Sequence, residues 1–295
     1  MVTGRHSSRS GFRPSFSRFG FRHLLTVTLG LVVATILLGV AAKATGSGLA
    51  CQANWPQCDT GPWNLFPASL PSFYEWIHRF VAMFAGFGIV GSAIAAWRLS
   101  AVDTRVASLV VGGALLTPVQ VVLGRETVFQ YQMEILSLHF WTAVLIFSMF
   151  VIATALVWKP ALTASHVTGA LALGLVGLPL HVALSPTALG VVVDYSPTVQ
   201  LLQYAVTLAV LASVIVATMV GRWRLGNRRL HALLFGTGGL ALVVAYLGRR
   251  SVMTFSPALD QLYLVVVALL FVAFGSGIVL SRTTSGHGDC CRLVP

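Results

Sequence analysis

The chain has 295 residues, 56% of them hydrophobic and only 9% charged, with a mean hydropathy of +0.84. A water-soluble domain of this size needs far more charge on its surface, so the composition excludes one and implies an integral membrane protein. The net charge of +11 raises nucleic acid as a partner, but the placement of the basic residues assigns them to membrane topology and anionic lipid instead.

In chain order, residues 1–22 are rich in Ser, Arg and Phe and read as a disordered basic cytoplasmic tail, with no cleavage pattern for a signal peptide. Eight apolar stretches follow, near 23–43, 75–97, 106–124, 133–158, 164–186, 196–220, 230–248 and 261–281, each close to the roughly 20 residues a membrane helix requires. The expected fold is therefore all-α with eight transmembrane helices. With the N-terminus inside, 14 basic residues fall on inside segments and 4 outside (Lys43, Arg125, Arg249 and Arg250). This asymmetry predicts a multi-pass protein of the cell membrane with both termini cytoplasmic.

The longest outside segment, 44–74, carries Cys51 and Cys58 around a Trp-Pro pair. An external position favours oxidation, so a disulfide stapling this loop is expected, with a redox-active pair as the alternative. Cys290 and Cys291, beside His287 in the tail 282–295, make a weak metal pattern, and that tail is expected to be unstructured.

The chain also repeats. Leu123-Gly124-Arg125-Glu126-Thr127-Val128 matches Leu247-Gly248-Arg249-Arg250-Ser251-Val252 at an offset of 124, and at nearly the same offset Glu75, His78 and Arg79 fall on Gln200, Gln203 and Tyr204. His139 falls near Tyr263. Two four-helix units of like topology are implied, over 23–158 and 159–281, and the second has lost the titratable residues of the first.

Glu75, His78 and Arg79 lie on one face at the outer end of the second span. Ionisable groups at that depth are costly and face an interior or a partner. Alone, the cluster reads equally as a Glu75–Arg79 pair anchoring the helix at the headgroups. His139, at similar depth in the fourth span, adds a second imidazole on a helix that can face the first, a means of holding heme iron in a bundle. Arg79, Lys43 and Arg125, all near the outer face, are the cations available to heme propionates. His181 could replace a ligand in the second unit, although a lone His beside Pro179 is more often structural.

Gly46-Ser47-Gly48-Leu49-Ala50-Cys51, Trp55-Pro56 with Cys58, Glu75-x-x-His78-Arg79 and then His139 resemble, in order and spacing, the heme A synthase family of cytochrome oxidase assembly proteins. The resemblance covers 25–145 by motif and 160–285 by topology only. It implies oxidation of a heme O methyl group to the formyl group of heme A through two hydroxylations. His78 and His139 would be axial iron ligands, Glu75 the acid/base or charge-stabilising group, and Cys51–Cys58 the external disulfide. It also implies heme O synthase and the oxidase assembly machinery as partners, and a quinone or other electron acceptor. Two-unit members carry a second His pair, in helices 6 and 8, that holds heme b. Gln203 and Tyr263 stand at those places here, so no bis-His heme b is expected in the second half. A b-type cytochrome fed by quinol and a non-catalytic heme-binding assembly factor are the rival readings; both use the two histidines, and only the enzyme requires Glu75.

Overall fold

The computed structural model describes residues 20–51, 54–55, 58, 67, 69–99, 101–130, 132–186, 194–253 and 256–290; the expected tail up to residue 19 lies outside them. Eight helices are long and apolar enough to cross a membrane, and no strand occurs among the described residues. They are α1 (Phe21–Ala44), α2 (Leu70–Arg98), α3 (Thr104–Phe129), α4 (Met133–Val157), α5 (Ala164–Ala183), α6 (Pro197–Arg224), α7 (Arg228–Met253) and α8 (Pro257–Cys290). The chain is a multi-pass all-α membrane protein.

Local chemistry sets the helix ends. Ser69 caps α2 by accepting from the Ser72 amide, and Pro71 occupies the first turn, where a missing N–H costs nothing. Ser196 and Pro197 repeat the device at α6, and Asp103 accepts from the Arg105 amide at α3. These caps start α2 five residues before the hydropathy does, so Glu75 sits more than one turn inside the helix rather than at its mouth. At the other extreme, α8 continues to Cys290, through residues 282–290 that hydropathy left as an unstructured tail.

The helices pack in cyclic order. α1 lies against α2 and α4, and α3 against α2 and α4, which places α2 and α4 on opposite corners of a four-helix unit. α5 to α8 repeat this arrangement, with α6 and α8 on opposite corners. Small residues permit the close approaches: a Cβ on Gly88 of α2 would meet the Thr28 hydroxyl of α1 at 2.8 Å, and the Thr28 and Ser92 hydroxyls lie 3.4 Å apart.

α6 joins the units by packing on both α1 and α4, with Tyr204 edge-on to Phe140. An apolar cavity of about 510 Å³ lies at this seam between Leu29, Val33, Phe147, Val151, Ala209 and Ala212. It opens toward the end where α1 begins and α4 finishes, and none of the sequence-derived site residues lines it.

Candidate functional site

α2 carries three of the site residues. Glu75 is 7% exposed, and its Oε1 accepts from Arg79 Nε at 2.9 Å, the i,i+4 geometry in which an acid precedes its base. Arg79 Nη1 donates to the Asn54 carbonyl at 2.8 Å, which ties the helix to the loop closed by the Cys51–Cys58 disulfide. That loop is fastened a second time by the Ser72 hydroxyl, which donates to the Ala50 carbonyl at 3.4 Å.

His78 turns toward α1. Its Nδ1 lies 3.1 Å from the Thr35 carbonyl, and since a carbonyl only accepts, Nδ1 carries the proton and Nε2 is the bare nitrogen. One turn along α1, a Cβ on Gly39 would sit 2.9 Å from His78 Cε1, so the ring occupies space that only glycine leaves.

The opposite corner supplies His139 on α4. Gly124 of α3 makes room for it, since a Cβ there would be 3.1 Å from its Cε1. The Gln120 amide nitrogen lies 3.4 Å from Nε2, while Nδ1 is buried without a hydrogen-bond partner. His78 and His139 are within electrostatic reach of each other across the bundle. The structure thus brings together Glu75, His78, Arg79 and His139 inside the first unit.

The cations separate into two kinds. Lys43, in the last turn of α1, lies within electrostatic reach of Arg249 from α7. Arg125 is half exposed, pairs with its neighbour Glu126 at 2.7 Å and covers the Phe129 ring.

In the second unit, Gln203 of α6 and Tyr263 of α8 occupy opposite corners, and both are buried. His181 from α5 joins them: its Nδ1 meets the Thr207 hydroxyl at 2.9 Å, and its Nε2 is buried without a partner. Gly248 makes room here as Gly124 does in the first unit, with a Cβ 3.1 Å from His181 Nε2 and 3.4 Å from Tyr263 Cε2. Tyr195, just before α6, donates to Gln203 Oε1. Burial first, and then the neighbouring phenols Tyr204 and Tyr263, hold the Tyr195 hydroxyl above its usual range against the opposing charge of Arg249.

Sequence reading missed Thr35, Gly39, Gln120 and Arg249. The duplicated Leu-Gly-Arg motif at Gly124 and Gly248 was the available signal for the glycine cradles. A main-chain carbonyl such as that of Thr35 leaves none. Among the described residues no group of three or more His, Cys, Asp and Glu side chains could hold a bare metal ion.

Fold and site together define a multi-pass membrane protein whose first four helices hold two imidazoles within electrostatic reach of each other and an ion-paired carboxylate. No family model matches the chain. It is 30% identical over 138 residues to a heme A synthase of Bacillus licheniformis, covering 44% of this chain and 45% of that protein, and 27% identical over 145 residues to one of Bacillus pumilus (48% and 46%). It is also 36% identical over 125 residues to a protoheme IX farnesyltransferase of Halobacterium salinarum, covering 42% of this chain and 27% of that protein. The matches thus span between about a quarter and under half of each relative's length. Over these stretches the chain is similar to heme A synthases.

Proposed function

We propose that this protein is a heme A synthase, an oxidoreductase that converts a methyl group of heme O to the formyl group of heme A, with its chemistry confined to α1–α4. The observation that carries this reading is the pairing of His78 and His139 from opposite corners of one four-helix unit, with the buried Glu75 carboxylate one turn from His78. Relatives named for heme A synthesis and for farnesyl transfer to protoheme support heme as the ligand.

The residues fit a heme. The Thr35 carbonyl holds the His78 tautomer that leaves Nε2 bare, and such a hydrogen bond on the far nitrogen orients a metal-ligating imidazole. His139 Nε2 has only the long 3.4 Å contact from the Gln120 amide nitrogen, which a metal ligand bond could replace, and Gly39 and Gly124 clear the space beside both rings. Bound heme O would bring the iron that supplies the redox chemistry, and oxidation of its methyl group would take the formyl oxygen from water and pass electrons to a quinone or another acceptor. His78 and His139 would hold that iron. Glu75 would accept a proton from the reacting carbon or stabilise the charge that develops there. Arg79 keeps Glu75 oriented, and Lys43 and Arg125 are proposed with Arg79 as charge partners of the propionates. No bis-His heme b is proposed for the second unit, where Gln203 and Tyr263 stand at the opposite corners.

The proposed topology keeps both termini cytoplasmic and the disulfide loop external, in the cell membrane. Heme O synthase would supply the substrate, and oxidase assembly would take the product.

Co-expression with a heme O synthase in a host lacking heme A, followed by chromatography of extracted hemes, tests the activity. Hydroxylated and formyl hemes are expected. Bound heme B with neither product overturns the enzyme and favours a b-type cytochrome.

A further inference from the structure

We propose that Arg249, reaching from the second four-helix unit into the first, forms with Lys43 a carboxylate-binding site that anchors a propionate of the heme held by His78 and His139. This rests on the heme reading above and assigns the second unit a part in the first unit's site.

Arg249 is 7% exposed, unusual for a guanidinium at a membrane boundary. Its Nη1 donates to the Tyr204 hydroxyl at 3.1 Å and its Nη2 to the Leu136 carbonyl of α4 at 3.2 Å, while the Phe140 ring lies 4.2 Å beneath. Leu136 and Phe140 bracket His139, and Arg249 is within electrostatic reach of that imidazole. Both fixed hydrogen bonds go to neutral oxygens, and Nε is buried with no partner. Lys43 is the second cation in reach. Among the described residues neither has a carboxylate at ion-pair distance: the two acids that form ion pairs are Glu75, held by Arg79, and Glu126, held by Arg125.

Two like charges within electrostatic reach of each other repel, and the neutral oxygens that bond Arg249 do not offset that repulsion. An anion between them does, and a heme carboxylate is the anion nearest to hand once His139 is engaged. The repeat shows why Arg249 is available. Its counterpart Arg125 has Glu126 beside it, whereas the residue after Arg249 is Arg250, so the second copy lost the neighbouring acid.

The test measures binding of hemin and of hemin dimethyl ester, whose propionates carry no charge, to the full-length protein in nanodiscs, followed by the Soret band. Wild-type protein should prefer hemin by about tenfold or more, the effect of one good charge-assisted contact. Arg249→Met should abolish most of that preference while binding the ester as the wild type does, which also shows that it is folded; Arg249→Lys should restore part of it. Lys43→Met provides a second, independent loss of preference. An Arg249→Met protein that keeps the wild-type preference, or that loses both ligands equally, overturns the proposal. Wild-type protein that binds neither ligand, or binding unaffected by His78→Ala with His139→Ala, overturns the heme reading itself.

Discussion

Glu75 illustrates how a single side chain changes meaning with its surroundings. As an i,i+4 partner of Arg79 it could serve only to anchor a helix, and an exposed pair of that kind contributes little. Buried to 7% and one turn from His78, it is the residue proposed for proton transfer. Glu75→Gln keeps the size and the hydrogen bond from Arg79 but removes the charge, so heme should still bind with an unchanged Soret spectrum while product formation falls by roughly 10²–10⁴-fold. Chromatography of hemes extracted from cells expressing the variant checks this; wild-type yields of heme A would remove Glu75 from the chemistry. Gly39 provides the steric counterpart. Its missing Cβ would meet Cε1 of the His78 ring, which the Nδ1 hydrogen bond to the Thr35 carbonyl holds in place. Gly39→Val should weaken heme binding by roughly tenfold or more, the scale of an overpacked core, with a shifted ligand-field spectrum.

At the level of elements, α2 owes its start to Ser69 and Pro71 rather than to hydropathy, and this start sets the depth of everything it carries. The loop before it is held at three points, by the disulfide, by the Ser72 hydroxyl on Ala50 and by Arg79 on Asn54. The two cysteines are 7 residues apart, and closing so short a loop stabilises by roughly 2–3 kcal/mol on the chain-entropy account. Cys51→Ser should therefore lower the melting temperature of the detergent-solubilised protein. Because Arg79 also orients Glu75, the variant should lose heme oxidation more steeply than heme binding. Equal losses of both would mean that the loop acts only as a staple.

Across the whole molecule, two units of the same helix order have diverged in their interiors. The first places an imidazole at each of two opposite corners; the second has Gln203 and Tyr263 at those corners and one imidazole, His181, bonded to Thr207. Purified protein should accordingly bind about one heme per chain. His181→Ala should leave that ratio and the spectrum unchanged, whereas His139→Ala should abolish the low-spin signal. A pyridine-hemochrome assay giving two hemes per chain would contradict the reading of Gln203 and Tyr263. The second unit's contribution lies at the seam, where α6 packs on α1 and α4 and Arg249 crosses over to Leu136.

The number of spans was legible from composition and hydropathy, because the cost of placing a charge in hydrocarbon is paid residue by residue and sums along the chain. The chemistry-bearing residues of the first unit stood out for the same reason: Glu75, His78 and Arg79 are expensive wherever they point, and Cys51 and Cys58 flank a short loop. Tertiary structure alone decided what each one meets. The carbonyl that sets the His78 tautomer, the glycines that clear both rings, the Thr207 hydroxyl that engages His181 and the guanidinium that crosses from α7 to α4 all depend on contacts between helices far apart in sequence. Hydropathy measures what a side chain costs in lipid; only packing fixes which partner offsets that cost.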